Sequence, residues 1–297
     1  MHRPGRKLLL SVATTWMLLG AVAFAHPGSG ISVDRAGVVY FVDTGSGVYK
    51  MDARGTLTRI PGPAFHWFAM DEANRFAQTR LPAGAGWELQ RAGSSPTLLL
   101  SSDYPIARGA DGNLYYSAPA PGGGAVQLTR LEPSGASAAF KRLPAQATGE
   151  PLLWLNGLTS GPDGSFYYTE DAAIRRVTRD GQVSTVVAGV APPNCAAVPL
   201  DEGAPPRLRG LAVDSAGTIY VAASGCGSLL KVTPSGQVSV LVQLEPPWSP
   251  TAVAVAGSDL YVLEYLHTKG DDRRQWTPRI RRLSPDGKSE IVAHIDR

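Results

Sequence analysis

The sequence predicts an all-β propeller. Three observations point there: a strand–turn–strand unit that recurs along the chain, no sustained helical period after residue 25, and a repeat of about 45 residues. The chain has 297 residues, of which 43% are hydrophobic and 18% charged, enough to build a core, so wholesale disorder is excluded. Its 33 Gly and 24 Pro fit a fold rich in tight turns.

Residues 1–25 read as an address rather than as fold. Arg3, Arg6 and Lys7 precede an apolar run from Leu8 to Ala25 that ends in Ala23-Phe24-Ala25, a small-x-small cleavage pattern. A secretory signal peptide cut after Ala25 is expected, with an uncleaved anchor as the rival, and one domain over 26–297. No other segment is long and apolar enough to cross a bilayer as a helix. The formal charge of +3 disappears with the leader, which leaves 25 basic and 25 acidic residues. Nothing then calls for nucleic acid or a membrane span, and a secreted or periplasmic monomer is the expectation.

The repeats justify the blades in order. The first is GISVDRAGVVYFVD from Gly30. WFAMDEANRFAQT from Trp67 is a degenerate second, one residue shorter at its turn. PIARGADGNLYYS follows from Pro105, GLTSGPDGSFYYTE from Gly157, GLAVDSAGTIYVAA from Gly210 and TAVAVAGSDLYVLE from Thr251. Each is followed by a second hairpin with a basic residue before its Gly turn, such as IRRVTRDGQVSTVV and IRRLSPDGKSEIVA. A lone four-stranded sheet cannot bury both faces, whereas a radial array covers them and leaves short edges. Six four-stranded antiparallel blades are therefore expected, with no strand exchanged at the seam and closure by packing alone.

IRRVTRDGQVSTVVAG, followed after a Pro-rich linker by LRGLAVDSAGTIYVA, resembles the characteristic stretch of NHL-repeat propellers. That resemblance implies a fold and no single activity, because such propellers include enzymes, receptors and scaffolds. A narrower resemblance is to the gluconolactonase and senescence-marker group of metal-dependent lactonases. Asn156-Gly157-Leu158, with the Pro162-Asp163-Gly164 turn, is similar to a stretch whose Asn binds the metal in that group. The resemblance thus implies Asn156 as a metal ligand. The sequence departs from it where the group has a Glu before the first blade, here Ser29, and an Asp before the G-L-A-V-D strand, here Arg209. Two lost carboxylates and one gained guanidinium are a poor donor set for a hard divalent ion.

Aligning the repeats marks one mouth of the central channel. Residues just before the inner strands are Ser29, His66, Tyr104, Asn156, Arg209 and Pro250, and those ending the second strands include Asp43, Glu170 and Glu264. Antiparallel neighbours bring the two sets to the same face. His66, Tyr104, Asn156, Arg209, Asp43 and Glu170 are the candidate ligand-binding residues. Glu264, His267 and His66 are the candidate acid/base groups. Each has a structural alternative: His66 bonding backbone, Arg209 in an ion pair with Glu170 or Glu264, and the Asp of each blade turn, such as Asp34 or Asp214, shaping that turn.

Cys195 and Cys226 form an even pair in a chain expected to be exported, so a disulfide is the simplest reading. The leading expectation is a small-molecule- or protein-binding module acting through the channel mouth. The alternative is a hydrolase or lyase using the same mouth. No cofactor is expected, with a divalent metal as the minor alternative.

Overall fold

The computed structural model describes residues 27–81, 87–91, 96–102, 104–190, 192, 195, 207–266 and 276–296. The expected leader at 1–25 and His267 lie outside these.

Five four-stranded antiparallel sheets and one three-stranded sheet follow each other along the chain. The first sheet runs Ile31–Val33, Val39–Asp43, Gly47–Met51 and Leu57–Ile60. The third begins at Ile106–Arg108, the fourth at Gly157–Ser160, the fifth at Leu208–Val213 and the sixth at Trp248–Ala256. These five have simple meander order. Their first strands, with Trp67–Asp71 of the second sheet, touch one another in cyclic order, the sixth returning to the first. The molecule is thus an all-β propeller with an axial channel walled by the innermost strands.

The expectation of six four-stranded blades is corrected at the second sheet, so five blades are four-stranded. Its strands are Trp67–Asp71, Trp87–Arg91 and Thr97–Ser101, and the first pairs directly with the last. The segment expected as its second strand, around Arg75–Thr79, is a run of turns. Asp71 causes this locally: its Oδ2 accepts from the Phe76 amide at 2.8 Å, Asn74 takes φ 55°, and Phe76 turns fully into the core. A carboxylate that caps a turn competes with a strand ladder for the same amide.

Elsewhere the repeat chemistry explains itself. Asp34 Oδ1 accepts from the Ala36 and Val38 amides, and Gly37 adopts φ 80°. Asp214 does the same for Ala216 and Thr218, with Gly217 at φ 82°. These aspartates shape turns, the structural alternative given above. Tyr115 packs between sheets against Phe140 and Phe166, and the hydroxyls of Tyr40, Tyr115 and Tyr220 also donate to the turn aspartates Asp34, Asp111 and Asp214. The glycine that opens the inner strands is a close-approach residue. A Cβ on Gly157 would sit 2.6 Å from the Arg209 carbonyl oxygen, and one on Gly210 2.8 Å from Ala252 Cβ.

No strand crosses the seam, but packing is not its sole closure. Thr251 Oγ1 donates to the Gly28 carbonyl at 2.8 Å, and the Tyr265 hydroxyl donates to the Val42 carbonyl at 2.8 Å. One apolar cluster spans the joint, including Phe41 and Val48 from the first sheet and Leu263 and Ile280 from the sixth.

Candidate functional site

The sheet joints bring the starts of the inner strands together on one face. The Ser29 amide donates to the His66 carbonyl at 2.9 Å. Thr169, which precedes Glu170, donates its hydroxyl to the Arg209 carbonyl at 2.8 Å, and its own carbonyl accepts from the Asn156 amide at 3.0 Å. Ser29 and His66 are therefore neighbours, and Asn156, Glu170 and Arg209 meet at the joint between the fourth and fifth sheets.

The carboxylates of this face are engaged. Glu170 Oε1 accepts from the Ala147 amide at 2.7 Å and from Arg175 Nη1 at 3.1 Å. Glu264, fully buried, accepts from Arg279 Nε at 2.6 Å and Arg281 Nε at 2.5 Å, and the Arg279 guanidinium also lies 3.7 Å from the Trp248 ring. Asp43, also fully buried, caps its own turn by accepting from the Gly45 amide and the Ser46 hydroxyl. The ion pairs foreseen between Arg209 and Glu170 or Glu264 do not form. Arg209, only 6% exposed, instead donates from Nε to Ser224 Oγ at 3.1 Å.

His66 behaves as its structural alternative describes. Its Nδ1 faces the Ser102 carbonyl, which can only accept, so Nδ1 carries the proton and Nε2 is buried. Tyr104 is half-buried, and its amide donates to Ser101 Oγ at 3.2 Å. The Asn156 side chain, half-buried, makes no hydrogen bond among the described residues, and neither does the buried Ser29 hydroxyl. The sequence reading missed the arginines that hold the two glutamates. A signal was present in the repeats: both Arg175 and Arg281 are the first Arg of an Ile-Arg-Arg third strand that follows a Glu-ended second strand.

The disulfide joins Cys195 to Cys226, with Cα atoms 4.8 Å apart. Cys226 is fully buried and ends the short 3-10 turn Ser224–Cys226. Ser224 in that turn accepts from Arg209 and donates to the Arg207 carbonyl at 3.0 Å. The bond therefore pins the linker to the turn that orients Arg209.

A divalent ion does not fit this donor set. Hard ions take six to eight oxygen ligands, several of them carboxylates. At the corresponding positions stand a hydroxyl, an amide and a guanidinium, and the nearby glutamates are bonded to arginines. Among the described residues no group of three or more His, Cys, Asp or Glu could hold an ion.

The channel itself is a cavity of about 800 Å³. It runs from Ser29 and Gly30 down the inner strands to Asp34, Arg35, Glu72 and Asp259 at the far end. Of the candidate residues of the mouth, His66, Tyr104, Asn156, Arg209, Asp43, Glu170 and Glu264 are not among its lining. The mouth residues thus flank one end of the channel.

Residues 106–265 match the family described as the SMP-30/gluconolactonase/LRE-like region. A 6-deoxy-6-sulfogluconolactonase of Pseudomonas putida is 31% identical over 134 residues. That stretch is 43% of this chain and 43% of that protein, so the chain spans less than half the length of the relative. Among solved structures, the virginiamycin B lyase of Staphylococcus aureus has a TM-score of 0.53 at 16% identity, covering 89% of this chain and 83% of that one. A gluconolactonase of Xanthomonas campestris has a TM-score of 0.53 at 13% identity, covering 80% and 84%. At those identities the structural likeness establishes fold alone.

Proposed function

The chain belongs to the SMP-30/gluconolactonase/LRE-like family, and from that premise we propose a hydrolase-type propeller that opens a small ring ester at the mouth face without a bound divalent ion. The observation that carries the reading is the place of Arg209. Its buried guanidinium stands where the lactonase resemblance puts a metal-binding Asp, at the same joint as Asn156, whose side chain makes no hydrogen bond among the described residues. A fixed positive charge beside an amide can polarise a carbonyl and stabilise the oxyanion formed when water adds. The ring C–O bond then breaks to give a hydroxy acid, a product whose carboxylate suits the same charge.

A second reading, a binding module without catalysis, is favoured by Glu264, whose two carboxylate oxygens are both taken by arginines. The basic-apolar run at 3–25 and the disulfide support export to an oxidising compartment. Among the described residues no helix is long and apolar enough to cross a membrane.

One experiment tests the two readings. Protein treated exhaustively with chelator is assayed against a panel of aldono-1,4- and 1,5-lactones, alongside Arg209→Met and Asn156→Ala. Ring opening that survives chelation and falls at least about 100-fold in Arg209→Met supports the hydrolase reading. Lactones and hydroxy acids that bind without turnover would replace it with the binding module. Turnover that needs an added ion would overturn the metal-free mechanism.

A further inference from the structure

The connection from the third sheet to the fourth, residues 143–156, leads to Asn156 and has two features that the mouth chemistry above leaves unused. The first is how firmly it is held. The ion pair of Glu170 and Arg175, both side chains at least nine-tenths buried, grips its backbone. Glu170 Oε1 accepts from the Ala147 amide at 2.7 Å, and Arg175 Nη1 approaches the Ala145 carbonyl at 3.4 Å. Within the connection Gln146 Nε2 donates to the Pro151 carbonyl at 3.2 Å, and Leu152 and Leu155 are buried in the apolar cluster between the third and fourth sheets. The second feature is what it exposes. Trp154 is 64% and Leu153 54% exposed, and neither joins an apolar cluster among the described residues.

An indole left in water on a braced backbone is preorganised for a ligand: covering it removes apolar area from water and orders little that is not already fixed. Trp154 stands two residues before Asn156, within about 7 Å along the chain. Leu155 between them is buried, while Trp154 and the half-buried Asn156 both stay out of its cluster. The Asn156 backbone is tied through Thr169 to that of Arg209. Two apolar side chains fall far short of the roughly 800 Å² per partner that a stable protein interface buries. The other exposed large apolar side chains, Val238, Leu241 and Ile291, lie apart on the outer strands of the fifth and sixth sheets. A small ring is the occupant that fits. We propose that Trp154 is a substrate-contacting specificity residue of the mouth, on which a six-membered ring ester lays one C–H face while its carbonyl points to the Asn156 and Arg209 joint. The negative face of the indole attracts the weakly positive C–H bonds of a saturated ring, so rings with one unobstructed face are preferred. This inference rests on the ring-ester reading of the mouth.

The test uses the full chain with two probes: glucono-1,5-lactone for turnover, and the corresponding lactam, whose amide resists hydrolysis, for binding by calorimetry and tryptophan emission. Trp154→Ala should raise KM for the lactone and Kd for the lactam about tenfold with kcat within about twofold, the pattern of a contact made equally in ground and transition states. Trp154→Phe keeps an aromatic face and should recover most of both. Lactam should shift the emission of the parent to the blue, and Trp154→Phe should bind it without that shift. Binding that depends on Trp154 with no turnover would sink the hydrolase reading and leave this one standing. Turnover in the parent with Trp154→Ala kinetics equal to it would sink this one and leave the hydrolase reading. A parent that binds no lactam, a Trp154→Ala that binds it as tightly as the parent, or an emission shift that persists in Trp154→Phe would each overturn the proposal.

Discussion

The hydroxyl of Tyr265 donates to the Val42 carbonyl at 2.8 Å and accepts from the Thr44 amide at 3.3 Å. One fully buried side chain of the last sheet therefore holds two backbone groups of the first. A propeller without strand exchange has no ladder across its seam, so such bonds carry part of what an exchanged strand would supply. Tyr265→Phe keeps the ring and removes the hydroxyl, leaving both backbone groups without it. A loss of about 2 kcal/mol is expected from urea denaturation, because buried backbone groups left unpaired are expensive. An unchanged midpoint would show that this hydroxyl adds nothing to the seam.

The Cys195–Cys226 bond spans 31 residues of sequence. Constraining a loop of that size in the unfolded chain stabilises the fold by about 3–4 kcal/mol on the chain-entropy view. Cys195→Ser should lower stability by that order, and reductant should then have no further effect on the variant. Because Cys226 ends the turn that carries Ser224, whose buried hydroxyl accepts from Arg209 Nε, Ser224→Ala should lower stability by about 1–2 kcal/mol and weaken any anion bound near Arg209.

The repeats were legible because they obey local chemistry. Asp34 and Asp214 bond amides two and four residues on, and the following Gly takes a left-handed conformation, so each turn reports itself in four letters. The second sheet was less legible. No Gly follows Asp71 and Glu72 at this turn; Asn74 takes positive φ instead and Asp71 claims the Phe76 amide, and neither effect shows in hydrophobic alternation. At the mouth, proximity followed from the alignment, but pairing did not. Which arginine reaches Glu170 or Glu264 depends on strand register, and the registers Tyr168↔Arg175 and Glu264↔Arg279 emerge only once the sheets are built.

Glu264 holds two arginines in a fully buried position, so its role is read through stability. Glu264→Gln removes the charge and leaves Arg279 and Arg281 without their counter-ion. Breaking a buried network of this kind costs about 3–5 kcal/mol. Denaturant curves should show that loss. A variant that stays as stable as the parent while changing the pH profile of turnover would instead return Glu264 to the acid/base role.

Alkaline pH should weaken the fold through the turn tyrosines. Burial, then the nearby Asp34 charge, pushes Tyr40 up to about 12, and burial with the Asp111 hydrogen bond does the same for Tyr115. Their ordinary value is 10.0, so above that pH the unfolded chain loses protons that the folded one keeps. The stabilisation is complete below pH 10 and drains away as pH rises towards 12. Tyr40→Phe should flatten the fall in unfolding free energy over that window, and an unaltered slope would place the sensitivity elsewhere.

The charge of the mouth gives the last prediction. If Arg209 substitutes for an ion, then restoring carboxylates at the two departing positions should restore ion binding. Ser29→Glu with Arg209→Asp would set two carboxylates on the same face as the Asn156 amide, a set of hard oxygen donors. The parent should show no change in melting temperature with calcium, magnesium or manganese after chelation. The double variant should gain several degrees with at least one of them, as mass action requires of a ligand that binds only the folded state. Asn156→Ala on the double-variant background should abolish that gain, because the amide is the third donor. A parent that is itself stabilised by an ion, with the effect lost in Asn156→Ala, would mean that the guanidinium has moved the ion rather than replaced it.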